Sequence, residues 1–316
     1  MNNIISEIKV SNNIVLLCHI NPDGDAIGST LAMSIALKRL GKEVDIVIDN
    51  PPKRFNFIPE YNNIKLKSNK KYDTAIVLDT GSIERVNNLY ILESVNKVLV
   101  IDHHKTNTKY GSVNLVEDYP ACCEIVYNLI KEMNITIDEE LGVPLAVGLL
   151  TDTGGFAHAN VLPSTFAMAE ELSKVVDISR IYKLVLRTIS LNQFNIKKVA
   201  LDNLEFYQNN KLAISYITEE NMKKNNVSED DCGILVNIPL EIDTIEVSIL
   251  LRKYTDTTRV SLRSNNIDVS SIASLFGGGG HINAAGITTN IPFDELKEKL
   301  IKEVGKEIEK WNTSSK

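Results

Sequence analysis

Four short apolar runs set the first limit on what this chain can fold into: Ile14 to Cys18, Val44 to Ile48, Thr74 to Leu78 and Val98 to Ile101. Each is rich in β-branched residues and apolar throughout rather than alternating, the pattern of strands buried on both faces of a parallel sheet. Helical spacing fills the intervals, over Ala26 to Leu40 (closed by Gly41), Cys123 to Met133, Leu141 to Leu150 and Ser164 to Val175. Strand, helix and strand in succession predict an α/β fold with right-handed crossovers, a parallel sheet with helices on both faces. The polar ends of these runs, His19 to Asp25, Asp79 to Gly81 and Asp102 to His104, then belong on one edge, because ligands of open parallel sheets bind at the carboxyl ends of strands.

The chain has 316 residues, long enough for two cores. A polar helical stretch from about Asn192 to Asn203 links the halves, and beyond it Lys211 to Thr218, Thr244 to Lys253 and Arg259 to Arg263 alternate like strands of a smaller sheet. FGGGGHINAAG precedes the last strand and helix. The expected organisation is a catalytic domain over 1–187, a helical linker over 188–204 and a smaller α/β substrate-binding domain over 205–316, with an active-site cleft between the two domains.

Charged residues make up 24% and apolar residues 43%, the balance of a globular protein. No apolar run approaches the roughly 18 to 20 residues of a membrane span, and MNNIISEIKV lacks the basic start and apolar middle of a signal peptide, so a cytoplasmic protein without a membrane partner is expected. A net charge of -7 argues against coating long nucleic acid, which requires neutralising many phosphates at once. A small anionic substrate remains compatible, provided metals or a few arginines supply local positive charge. Four cysteines, including the adjacent Cys122 and Cys123, form no C-x-x-C pair and read as reduced packing residues.

The candidate ligands at the strand ends are His19, Asp23, Asp25, Asp79, Asp102, His103 and His104, joined by Asp152 in GLLTDTGGF. Acidic residues gathered after apolar strands gain nothing from burial and repel one another unless a cation lies between them. Singly each has a plainer explanation: Asp23 as a turn former in P-D-G, Asp79 or Asp152 as a helix cap. Together they predict a dinuclear site, and carboxylates mixed with imidazoles favour manganese, or magnesium, over structural zinc. A phosphate loop at Gly24 and Gly28 loses support, since neither G-x-G-x-x-G nor a Walker lysine is present. The run Gly277 to His281 is the better anion contact, because successive glycines let backbone N–H groups approach closely, with Arg263 in SLRS as a natural partner. Arg85 lies just after Asp79 and is placed to reach the same anion, whereas Phe156 and His158 read more simply as a core ring and a solvated imidazole.

The motifs HINPDGDAIGS, VLDTG, VIDHH and LLTDTGGF resemble, in order and position, those of the DHH phosphoesterase superfamily, and SLRS with DVSSIASLFGGGGHINAAG resembles the small domain that accompanies it in oligoribonucleases. The size and the GGGGH ending look like the stand-alone type that degrades very short RNAs and dephosphorylates 3′-phosphoadenosine 5′-phosphate (pAp). That resemblance implies one manganese held by His19, Asp23 and Asp79 and another by Asp25, Asp79, His103 and Asp152, with Asp79 bridging. It implies further that Asp102 orients His103, that His104 faces the substrate, and that Arg263, Ser264, Gly279, Gly280 and His281 grip the substrate's end. Ile282 departs from the basic residue that relatives often carry there. Short single-stranded RNA and small nucleotides such as pApA and pGpG are the implied substrates, no long duplex is expected to bind, and the chain would be a monomer or homodimer. The competing possibilities are a cyclic-dinucleotide phosphodiesterase and, in a different class, an inactive nucleotide sensor or RNA-binding module.

Overall fold

The computed structural model describes residues 1–314, which form two compact units dividing between Thr188 and Ile189. In the first unit β1 (Asn13–Leu17), β2 (Glu43–Val47), β3 (Ile64–Lys65), β4 (Thr74–Leu78), β5 (Lys97–Asp102) and β6 (Val113–Val116) form one sheet in the order β3-β2-β1-β4-β5-β6. Every pairing is parallel. The order reverses between β1 and β4, the place where open α/β sheets leave a crevice for ligands.

Successive residues of each strand feed two cores, because side chains alternate across a sheet. Ile14, Leu16, Ile76, Leu78, Leu99 and Ile101 pack beneath the helical layer. That layer comprises α1 (Asn2–Val10), α2 (Gly24–Arg39), α3 (Cys122–Glu132), α4 (Glu139–Asp152), α5 (Pro163–Ser173) and α6 (Ile178–Tyr182). Val15, Leu17, Val77 and Val100 face the other way, against Val86 and Ile91 from the 3₁₀ turns Ile83–Arg85 and Leu89–Ser94.

Helix α2 is buried on every face from Gly24 to Leu37, its small polar residues Ser29, Thr30 and Ser34 included, rather than striped. Its large side chains Ile27, Leu31, Met33 and Leu37 are fully inside, each contributing about 1.5–3 kcal/mol of burial. Glycines permit the close approach of its neighbours: a Cβ on Gly28 would collide with the Pro144 carbonyl, and one on Gly148 with Cys123 Sγ and Asp25. The pattern reading missed α1, β3 and β6, which are short and flanked by polar residues.

The second unit begins with α7 (Leu191–Asp202). Its sheet has the order β11-β12-β10-β9-β8-β7, built from β7 (Glu205–Tyr207), β8 (Leu212–Thr218), β9 (Val247–Lys253), β10 (Thr258–Ser264), β11 (Gly279–His281) and β12 (Ala284–Thr289). One face packs on α10 (Val269–Ser274) and α11 (Phe293–Ser314), with Leu262, Val269, Leu296 and Leu300 in the core. Part of the other face packs on α7, α8 (Glu219–Lys224), α9 (Glu229–Cys232) and the 3₁₀ stretch Gly233–Glu241. Ile196 and Ala200 of α7 are buried with Ile217 and Leu250, so the helix expected as a linker is built into this unit's core. Among the described residues no helix is long and apolar enough to cross a membrane.

Candidate metal centre

His19 follows β1 and Asp79 follows β4, which places them on the two strands that flank the reversal of strand order. The start of α2 brings Asp23 and Asp25, the end of β5 brings Asp102, His103 and His104, and α4 ends on Asp152. Asp79 has φ 52°, in the left-handed region that aspartate and asparagine enter more readily than other non-glycine residues. Its two oxygens face opposite ways: Oδ2 lies 3.7 Å from His19 Nε2, and Oδ1 lies 3.3 Å from His103 Nε2. Around the first nitrogen is Asp23 Oδ1 at 3.8 Å; around the second are Asp152 Oδ2 at 3.4 Å and Asp25 Oδ2 at 4.0 Å. Among the described residues three overlapping groups result, His19/Asp23/Asp79, Asp25/His103/Asp152 and Asp79/His103/His104, each with ligand atoms within 4.8 Å of one another, and Asp79 reaches both His19 and His103.

The surrounding hydrogen bonds fix which nitrogen faces the cluster. His19 Nδ1 bonds the Ile20 carbonyl at 2.8 Å and His103 Nδ1 the Tyr119 carbonyl at 3.0 Å. A carbonyl only accepts, so each Nδ1 carries a proton and leaves Nε2 for the carboxylates or a metal. This corrects the expectation for Asp102: its Oδ1 accepts from His104 Nδ1 at 2.7 Å, not from His103, and its Oδ2 accepts from Asn107 at 2.5 Å. Geometry decides it, since Nδ1 of His103 is already bonded to the Tyr119 carbonyl.

Asp25 is wholly buried, and its two oxygens accept the amides of Cys122 and Cys123 at 2.5 and 2.9 Å. The free N–H groups of α3's first turn therefore hold a carboxylate of the cluster, a favourable partner for the positive helix end. The paired cysteines pack as expected, and their backbone does this second task, for which a sequence carries no signal. Asp23 caps α2 by accepting from Asp25 N and Ala26 N. Gly24 is not in the left-handed region; Thr151 packs so closely that a Cβ there would collide with it. After Asp152, Gly154, Gly155 and Phe156 all have positive φ, and His158 Nδ1 and Asn160 Nδ2 bond the Asp152 carbonyl. Phe156 packs on the core and stacks on Phe166 at 5.5 Å. Glu124 of α3, also unforeseen, accepts from Ser164 and Thr165 at the start of α5.

Charges in this pocket answer one another. Burial, then Asp25, Asp79 and Asp23, push Asp152 up to about 9. Burial and Asp79 likewise raise Asp25 to about 7. Burial opposes a charge on His103, but Asp79, Asp25 and Asp152 overcome it and raise its pKa to about 10. Burial also works against Asp23, yet His19 and the two amides lower its pKa, while Asp23 and Asp79 raise that of His19. Asp102 is the main cause of the raised pKa of His104, and His104 with Asn107 outweighs burial to lower that of Asp102.

The donor set fits a pair of divalent cations. Asp79 Oδ1 is buried with no hydrogen-bond donor, and the ion-pair partners of Asp23, Asp25, Asp79 and Asp152 are all histidines. Imidazole nitrogens and carboxylates in two groups joined by one carboxylate would give each ion mixed N/O ligation.

The remaining expected contacts divide. Arg85 sits in an exposed 3₁₀ turn whose carbonyl accepts from Ile20 N at 2.8 Å, and Val86 bridges to His19, so the turn lies beside the cluster. In the second unit Arg263, Ala284 and His281 pair directly across β10, β12 and β11, which projects Arg263 and His281 from one face. Ser264 points the other way and is buried, its hydroxyl donating to the Ile267 carbonyl, so the expected substrate contact is instead a turn bond. Gly277, with φ 75°, ends α10, and Gly279 and Gly280 belong to β11 rather than to an open anion nest. Pairing with β12 accounts for the difference: a Cβ on Gly278 or Gly280 would collide with β12 backbone.

A buried carboxylate and imidazole cluster at the reversal of a parallel sheet defines a metal-dependent class of protein, and two family descriptions match: the DHH family N-terminal domain over residues 13–149 and the DHHA1 domain over 209–310. The chain is 31% identical to the bifunctional oligoribonuclease and PAP phosphatase NrnA of Thermus thermophilus, across 96% of this chain and 94% of the relative. It is 28% identical to the protein of the same description from Mycoplasma genitalium, across 95% and 96%. Among solved structures, an exopolyphosphatase-related protein from Bacteroides fragilis superposes with a TM-score of 0.86 at 26% identity, covering 96% of each chain. The chain belongs to the DHH family of phosphoesterases, whose members are metal-dependent hydrolases.

Proposed function

We propose that this protein hydrolyses the phosphodiester bonds of very short oligoribonucleotides such as pApA and pGpG, and the phosphomonoester of pAp, in the cytoplasm. The observation that carries the chemistry is Asp79, whose two oxygens serve His19 on one side and His103 on the other. His19, Asp23 and Asp79 would hold one divalent ion, and Asp25, Asp79, His103 and Asp152 the other, with manganese favoured over magnesium. Bound there, the ions would acidify a water and stabilise charge on the phosphoryl group.

The chain's own residues do the rest. Nδ1–H bonds to backbone carbonyls keep His19 and His103 presenting Nε2. His104 is half-exposed and its Nδ1–H is held by Asp102, which raises its pKa and favours the imidazolium; in that form its Nε2–H would be given to the leaving oxygen. Arg263 and His281, on one face of the second sheet, would bind a phosphate of the substrate other than the one attacked.

The substrate choice rests on the oligoribonuclease and PAP phosphatase relatives and on the acidic balance of the chain, which disfavours long nucleic acid. The deciding experiment compares initial rates on pAp, pApA, pGpG, a 24-nucleotide RNA and cyclic di-AMP, with manganese and with magnesium. Faster cleavage of the dinucleotides and pAp supports the proposal. Preference for cyclic di-AMP would make the enzyme a cyclic-dinucleotide phosphodiesterase, and inertness toward all five would make it a sensor.

A further inference from the structure

One face of the second sheet carries a band that the proposal above leaves unused. Directly paired residues of antiparallel strands project to the same face, so the register defines rows of side chains across β11, β12, β10 and β9. His281, Ala284, Arg263 and Ser248 form one row. Gly279, Gly286, Ser261 and Leu250 form the next, and Thr288, Arg259 and Arg252 the third. Neighbouring rows are about 6.8 Å apart, comparable with the step between successive phosphates of an extended strand.

On this face β12 contributes only Ala284, Gly286 and Thr288, which keeps the floor low beside the arginines of β10 and β9. A cavity of about 530 Å³ opens over the second and third rows, lined by Arg252, Arg259, Ser261, Gly279, Thr288 and Glu229. Arg252 Nη2 donates to Ser261 at 2.8 Å and Nη1 lies 3.0 Å from Glu229, while its Nε is buried without a hydrogen-bond partner. Arg259 pairs with the other oxygen of Glu229. One carboxylate thus serves two guanidinium groups and leaves an excess positive charge in the cavity. Arg263, one row further on, forms no ion pair with a carboxylate among the described residues, and burial together with the Arg252 cation lowers its pKa.

We propose that this band is a second anion subsite, taking the phosphate that follows the one at Arg263 and His281, with Glu229 as an internal counter-ion which that phosphate displaces. The subsite rests on the oligonucleotide reading. A dinucleotide such as pApA carries a single phosphate besides the one attacked, which the first row takes, so it leaves the band empty. A trinucleotide is the shortest substrate to use it. Glu229 therefore sets a cost on longer substrates, and the two arginines offset it.

Opposite substitutions in the same contact test this. With pApA and pApApA as substrates, Arg259→Gln should raise the KM for pApApA about tenfold, the worth of one charge-assisted contact, and leave pApA unchanged. Glu229→Gln, which removes the counter-ion and keeps the shape, should lower the KM for pApApA severalfold and again leave pApA unchanged. Thr288→Glu, at an exposed position, adds a charge to the floor and should act like Arg259→Gln. Fluorescence anisotropy of labelled pApApA gives a readout independent of turnover: the slope of log K against log salt should be smaller by about one in Arg259→Gln than in the wild type. If the wild type cuts pApA but the variants treat the two lengths alike, or Glu229→Gln weakens pApApA, the subsite is overturned while the enzyme's function stands. If the wild type leaves pApA intact, the oligonucleotide reading falls and the subsite with it.

Discussion

Loading the site with metal should expel protons, in a number that the arrangement of charges sets. At pH 7 the set formed by His103, raised to about 10, Asp152, raised to about 9, and Asp25, raised to about 7, holds about two protons in a chelated, metal-free preparation. A metal ligand must give up its proton, so binding at pH 7 releases about two protons per chain. Each released proton makes the association constant rise about tenfold per pH unit, or about 1.4 kcal/mol. Two protons give about 100-fold, near 2.7 kcal/mol, for the product of the two constants.

The stability of the metal-free protein has the opposite sign. A carboxyl whose folded pKa lies above its unfolded value draws protons on folding, so stability declines as pH rises from about 4 toward the folded pKa. The raised His103 confers stability that is complete below about 6.5 and lost by about 10, which acts in the same direction. Thermal melts of chelated protein should therefore shift downward from pH 6 to 9, while the increment in Tm produced by manganese grows over the same range. Calorimetry in buffers of differing ionisation enthalpy counts the protons directly. A release below one proton per chain at pH 7, or a metal-free Tm that rises from pH 6 to 9, would refute the charge assignment.

Asp79→Asn should strip both ions, giving metal content near zero by elemental analysis and a loss of activity well beyond the roughly 10- to 100-fold that removal of an outer hydrogen-bond partner costs. Asp102→Asn should cut kcat by about 10- to 100-fold with metal content unchanged, and should move the basic limb of the pH–rate profile to lower pH, because the carboxylate that raises the pKa of His104 is gone. A loss of metal in that variant would show that Asp102 supports a ligand after all. Gly148→Ala forces a methyl group against Cys123 Sγ and Asp25, so denaturant titration should show a loss of about 1–3 kcal/mol together with weaker manganese binding. Unchanged stability would mean that the α2, α3 and α4 junction is looser than its geometry implies.

Sequence alone was enough to bring His19, Asp23, Asp25, Asp79 and His103 to one edge; Asp152 was added from its motif and lies at the end of a helix, α4. The parallel strands announce themselves as short buried runs, and their carboxyl ends share a side of the sheet by the topology of right-handed crossovers. The same logic found the smaller sheet and put Arg263 near the glycine run. What it could not supply were contacts made by backbone groups and by residues distant in sequence. The amides of Cys122 and Cys123 on Asp25, the Tyr119 carbonyl on His103 and the Asn107 amide on Asp102 leave no periodicity or motif in the chain. Ser264 and the glycines of β11 went astray for a related reason: whether a residue faces ligand or core depends on strand register, and one position along a strand reverses the answer. The candidate ligand types were thus legible in the sequence, mostly because strand ends carry them locally. Which oxygen of Asp79 meets which histidine, and that Asp102 serves His104, was decided only when the folded chain brought those atoms together.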